Sequence, residues 1–125
     1  MEKKKNRLTD KIRIYALVLI SLLLMGFSYV EGIASWYGGG EKLNKYTASG
    51  EIFDPEGYTC ASWYYPFGTY LKVTNLRNGK SVIVRVNDRG PAKRLGRIVD
   101  LTKKAFSEIE DLKRGLVRVR VEKIP

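Results

Sequence analysis

A small β-barrel with a single helix, following an export signal or membrane anchor, is the fold that this sequence predicts. Three observations carry that prediction. Valines alternate with other residues at 82, 84 and 86 and again at 117, 119 and 121, the period of half-buried strands. Asn78-Gly79 sits between two β-rich runs, as at a hairpin turn. Helical periodicity outside the N-terminal segment is confined to one stretch, after Thr102. A chain of 125 residues has room for one domain and one core.

The first 28 residues are read as a signal peptide or N-terminal anchor, and 29–125 as the folded domain. Lys3, Lys4, Lys5, Arg7, Lys11 and Arg13 lead into an uncharged run from Ile14 to Val30, a positive n-region before an apolar h-region. The small residues around Ser28 suit cleavage there; the length of the run also suits a retained anchor. Either way the basic end stays in the cytoplasm and the domain lies outside, so the expected location is the periplasm or cell envelope.

Within the domain, "EGIASWYG" (31–38) reads as a strand ending in glycines, and 43–62 as a long irregular loop bent at Gly50, Asp54, Pro55 and Gly57. Tyr70–Asn75 and Ser81–Asn87 form the two arms of the hairpin. "RIVDL" is a short strand, and Thr102 caps a helix to about Glu110 that buries Ala105, Phe106 and Ile109. "GLVRVRVEKI" closes the domain with Val117, Val119 and Val121 inward and Arg118 and Arg120 outward. So many short strands manage their edges best by closing into a barrel.

Composition excludes several chemistries. There is no histidine and one cysteine, which removes imidazole triads, His-containing metal sites and thiolate zinc cages, and leaves no internal disulfide. Cys60 is read as a small apolar filler. Proton transfer therefore falls to carboxylates, tyrosines or lysines. The net charge is +10; six of the 23 basic and two of the 13 acidic residues precede Ser28, which leaves 17 against 11, or +6, for the rest. A basic surface draws polyanions, outside a cell membrane chiefly wall polymers and anionic lipids, and no nucleic-acid-binding motif accompanies it.

The motifs "GIASWYG", "TASGEIFD", "PFGTYLKVTNLRNGKSVIVRVNDRGP", "GRIVDLTKKAF" and "VRVRVE" occur in that order over roughly residues 32–122. Together they resemble the rare lipoprotein A (RlpA-like) family. The resemblance implies a six-stranded double-psi β-barrel with one short helix, shared with expansins and plant barwin proteins. It also implies a septal lytic transglycosylase that cuts peptidoglycan glycan strands, preferring those stripped of peptides, to 1,6-anhydro-N-acetylmuramic acid ends. No metal or organic cofactor is implied, and the expected protein is a monomer whose partner is the glycan strand.

By the same resemblance Asp88, in "NDRGP", matches the family's catalytic aspartate and Glu51, in "SGE", its other acidic site residue. Ser62 stands where the family commonly carries a histidine, so it is a candidate only for hydrogen bonding to substrate. A lytic transglycosylase needs one carboxyl group, because the sugar's own 6-hydroxyl is the nucleophile and the group that donates a proton can take one back. Read from the residues alone, Asp88 is equally well a turn carboxylate that accepts backbone hydrogen bonds. Asn87 and Arg89 flank it as candidate substrate contacts. Trp36 and Tyr37 are adjacent on a strand, so alternation sends at most one to the core and leaves the other for the cleft. Tyr46, Trp63, Tyr64 and Tyr65 add further faces for sugar stacking, Asp54 and Asp100 are read as structural, and Arg89, Lys93, Arg94 and Arg97 as a basic cluster beside the site.

Overall fold

A computed structural model of the protein describes residues 7–17, 29–41, 43–92 and 96–125. Residues 7–17 are an exposed helix, α1; the remainder of the expected leader, including the Ser28 junction, lies outside the described residues. Among the described residues no helix is long and apolar enough to cross a membrane.

Six strands follow: β1 (Tyr29–Tyr37), β2 (Thr59–Ala61), β3 (Tyr70–Asn75), β4 (Ser81–Asp88), β5 (Arg97–Thr102) and β6 (Leu116–Lys123). They close into a barrel in the order β1-β5-β2-β4-β3-β6. β1/β5 and β2/β4 are parallel and the other four pairs antiparallel. Closure leaves no free edge for another chain to pair with. Alternation works as the valine pattern predicts: Val82, Val84, Val86, Val117, Val119 and Val121 point inward, with Leu71, Val73, Val99 and Leu101, onto Phe106 and Ile109. Cys60 is fully buried among them, and burial pushes its thiol up to about 12, so it acts as the apolar filler expected of it.

Three expectations change. The stretch 43–62 is not irregular throughout, because Thr59–Ala61 forms β2 between parallel β4 and antiparallel β5. Three residues are too few to show a period of two, and ladders from both neighbours make the strand. The hairpin between β3 and β4 is not a two-residue turn: Thr74 pairs with Ser81, and of the connecting residues only Gly79 has a positive φ, 77°. Asn78 instead donates from Nδ2 to the Ile109 carbonyl (3.0 Å) and accepts the Lys80 amide (2.9 Å), which ties the connection to the helix end. The helix, α2, spans only Lys103–Ser107, capped by the Thr102 hydroxyl as predicted. Beyond it Ile109 and Glu110 both bond back to the Phe106 carbonyl, so the chain turns while Ile109 stays buried.

That turn is held by a buried polar network. Asn75 Nδ2 donates to the Ile109 carbonyl (2.8 Å) and Glu110 Oε2 (3.2 Å), and its Oδ1 accepts the Arg77 amide (2.8 Å). The Asp111 amide and the Arg77 guanidinium hold the Glu110 carboxyl down to about 2. Asn75→Ala leaves the Arg77 amide and part of the Glu110 carboxylate unmatched and the Ile109 carbonyl with Asn78 alone, and is expected to cost about 1–3 kcal/mol in urea denaturation; an unchanged midpoint would mean that water replaces the amide without loss.

Candidate active site

Asp88 is the last residue of β4, where the barrel hands the chain to the Arg89-Gly90-Pro91 loop. Its Oδ1 accepts two backbone amides, Ala48 and Arg89, each at 2.9 Å, and its Oδ2 accepts the Tyr37 hydroxyl at 3.3 Å. One oxygen is thus committed to the backbone, while the other keeps a lone pair at a cleft of about 330 Å³ lined by Tyr37, Asn44, Tyr46, Thr47, Phe53 and Asp88. Burial and the Asp88 charge raise the Tyr37 phenol far above its ordinary value, so Tyr37 stays a donor to Oδ2. The turn amide seen at Oδ1 is the plain structural role of a turn aspartate; Oδ2 is what the plain role leaves over.

The Ala48 amide comes from a segment that reads as loop but folds as a small hairpin. Tyr46 and Ile52 bridge, Phe53 bonds to the Lys45 carbonyl, and Thr47 bonds to the Glu51 carbonyl. Its tip docks on β4 through Ser49 N–H to the Asn87 carbonyl (3.2 Å) and Ala48 N–H to Asp88. Gly90 lets the chain leave the site: with φ +148° it passes over β2, where an added Cβ would sit 3.5 Å from that of Ala61.

Trp36 and Tyr37 divide as alternation requires. Tyr37 faces the cleft, its ring 4.9 Å from that of Phe53. Trp36 does not reach it: the indole packs on the core, 6.4 Å from the Phe106 ring, and donates Nε1 to the Leu112 carbonyl at 3.0 Å. Gly39 closes over that ring so tightly that a Cβ would lie 2.3 Å from it.

Glu51 is brought to Asn87 but not into the Asp88 cleft. Arg85 grips both its oxygens, Nη2 to Oε2 at 2.8 Å, and Asn87 Nδ2 adds a third bond at 3.2 Å. These bonds, Arg85 first, hold the Glu51 carboxyl down to about 2, so it stays a carboxylate and is not a proton donor. Asn87 is buried behind this ion pair. Ser62 is also buried, its Oγ accepting the Tyr64 amide (3.1 Å) within its own turn and its N–H donating to the Asp88 carbonyl (3.1 Å). Arg89 turns inward too: Nη1 donates to the Ser62 (2.9 Å) and Tyr65 (3.1 Å) carbonyls and the guanidinium stacks 3.8 Å over Phe67. It braces the 62–67 loop; of the expected basic cluster, Lys93 and Arg94 lie outside the described residues. Of the Trp63-Tyr64-Tyr65 run, Trp63 and Tyr64 are exposed and Tyr65 packs against the core.

Asp100, read as structural, lies on β5 near Asp88 but does not line its cleft. On β5 it pairs with Ala61, whose other neighbour is Asp88, so one strand separates the two carboxylates. It accepts the Ser35 hydroxyl at 3.0 Å, and burial lifts its carboxyl to about 6. The signal in the sequence was a carboxylate inside an apolar strand, "IVDL", on the face that Leu101 does not use. Among the described residues no three His, Cys, Asp or Glu side chains come together as a metal site.

Comparison with known proteins gives a family. The chain is 48% identical over 93 residues to the probable endolytic peptidoglycan transglycosylase RlpA of a Nostoc species, covering 74% of this chain and 25% of that protein. It is 48% identical over 94 residues to the endolytic peptidoglycan transglycosylase RlpA of Campylobacter jejuni, covering 75% and 34%. The chain therefore spans about a third or less of the length of these relatives. In structure it is similar to a Streptomyces papain inhibitor (TM-score 0.62, 22% identity, 78% of this chain and 94% of that one) and to the Clavibacter michiganensis expansin (0.61, 23%, 78% and 50%), a likeness of fold alone. A family model described as lytic transglycolase matches residues 29–121, from the first residue of β1 into β6, so this RlpA-like barrel belongs to the lytic transglycolase family.

Proposed function

We propose that the chain is an exported peptidoglycan lytic transglycosylase that cuts between N-acetylmuramic acid and N-acetylglucosamine, prefers peptide-free strands and leaves 1,6-anhydro ends. The observation that carries this is Asp88, fixed by two amides with one oxygen kept for the cleft, in a member of this family. Asp88 Oδ2 gives its proton to the glycosidic oxygen as the bond from that oxygen to the muramoyl C1 breaks. The 6-hydroxyl of the same muramoyl ring then bonds to C1, and its proton passes to Oδ2, which restores the acid. No water is consumed.

Tyr37 orients Oδ2 and supplies a donor beside it where the family's histidine has no counterpart. Tyr37→Phe is expected to slow cutting roughly fivefold with the fold intact, since one hydrogen bond near 1 kcal/mol is lost; a rate equal to wild type removes Tyr37 from the mechanism. Glu51, already neutralised by Arg85, positions the 45–53 hairpin and the sugar and transfers no proton. The protein acts as a monomer in the cell envelope, tethered by residues 1–28 if these are retained.

A second reading, a wall-binding module without catalysis, is favoured by Ser62, whose buried hydroxyl offers the cleft nothing in place of an imidazole. Digestion of intact and amidase-stripped sacculi, read by mass spectrometry, separates the two. Anhydro-muramic ends released preferentially from stripped sacculi support the enzyme; sedimentation with sacculi without such ends establishes the binder.

A further inference from the structure

The 45–53 hairpin is a partition with a concavity on each side. On one side lies the Asp88 cleft. On the other, Glu51, Ile52, Tyr58, Tyr70, Arg85 and Asn87 line a second trough of about the same size, 330 Å³. Consecutive residues of β4 face opposite ways, so Asn87 belongs to one side and Asp88 to the other.

The second trough has the chemistry of a sugar site. Tyr58, Tyr70 and Ile52 are 46%, 52% and 62% exposed, which is unusual for three large apolar side chains in one depression. Tyr58 is anchored in place, its hydroxyl donating to Glu108 Oε1 at 3.1 Å, and Tyr70 stands beside Arg85 across the β3–β4 ladder. The polar side is a closed ion pair, Glu51 with Arg85, together with the Asp54 carboxylate, so the lining offers donors and acceptors with a net negative charge. Asn87, 2% exposed, has its Nδ2 on Glu51 while its Oδ1 accepts no hydrogen bond from the protein. Aromatic faces beside a net negative polar lining suit an uncharged pyranose and repel a polyanion. The ridge between the two concavities is low: Ala48 and Gly50 are exposed, and the space above Gly50 is open to 4 Å.

We propose that this trough is a second glycan subsite, in which Tyr70 and Tyr58 hold a neutral N-acetylated sugar of the same strand that Asp88 cuts, on the far side of the 45–53 hairpin. It rests on the glycan-cutting reading given above. A strand held on both sides of the cut is what an enzyme that cuts within chains requires.

Calorimetric titration of the full chain with chitohexaose and with chitobiose, neutral oligomers of N-acetylglucosamine, tests the subsite without reference to cutting. The hexamer is expected to bind at least about tenfold more tightly than the dimer. Tyr70→Ala should lower hexamer affinity about tenfold, with Tyr70→Phe restoring it, and Tyr58→Ala should act in the same direction. On stripped sacculi Tyr70→Ala should raise KM while kcat holds. Hexamer binding that is absent, or that is indifferent to both tyrosines, overturns the subsite. Tyr70-dependent binding by a chain that releases no anhydro ends would keep the subsite and sink the activity, whereas cutting with no dependence on Tyr70 would do the reverse.

Discussion

Asp88→Asn is expected to release no measurable anhydro-muramic ends from stripped sacculi, a loss of at least about 10³-fold, in a protein that unfolds at the wild-type denaturant concentration. The geometry explains why the two effects separate. Asn Oδ1 can accept the Ala48 and Arg89 amides as the carboxylate does, and its Nδ2 can donate to the Tyr37 oxygen, so every hydrogen bond of the native site has a counterpart. What the amide lacks is a proton to give and a lone pair basic enough to take one back. Residual cutting within tenfold of wild type would place the acid elsewhere, with Asp100 the next carboxyl in line.

Asp100→Asn is expected to make the domain more stable at neutral pH. Burial raises the folded-state pKa of Asp100 from 3.8 to about 6, against the cost of which the Ser35 hydroxyl and Arg97 only partly compensate. Between these values the folded state holds more protons than the unfolded chain, so stability is full below about pH 4 and falls as pH rises through about 6. A shift of this size corresponds to at most about 3 kcal/mol. Asparagine mimics the neutral acid and can still accept from Ser35. Thermal unfolding of wild type and variant from pH 4 to pH 8 should show curves that nearly coincide at the acid end, separate in favour of the variant between about pH 4 and 6, and keep a steady gap above that. A gap that is constant with pH would refute the assignment.

The leading features of the barrel were legible because they are local. Alternating valines, the Thr102 cap and Gly79 each report on a few neighbouring residues, and burial at one strand face follows from a period of two. What failed was also local in origin. β2 is too short to show a pattern, the Asn78 side chain found a partner in Ile109 that no turn rule contains, and the helix stopped at Ser107 although Ile109 kept its buried place.

For the site, chemistry was legible and geometry was not. Residue content and pattern alone show that no imidazole or thiolate zinc cage is available, that a carboxylate follows an apolar strand in "NDRGP", and that at most one of Trp36 and Tyr37 enters the core. Only the tertiary structure decided that Tyr37 was the one left for the cleft, that Glu51 is held by Arg85 on the other side of a hairpin, that Ser62 and Arg89 are spent on their own loop, and that Asp100 stands one strand from Asp88. The physical reason is distance along the chain. Residue type and alternation act between near neighbours, whereas, the Ser62 hydroxyl with its Tyr64 amide apart, these groups meet others from about a dozen to some fifty positions away, and parallel pairing through β2 brings them together in a register that no local pattern encodes.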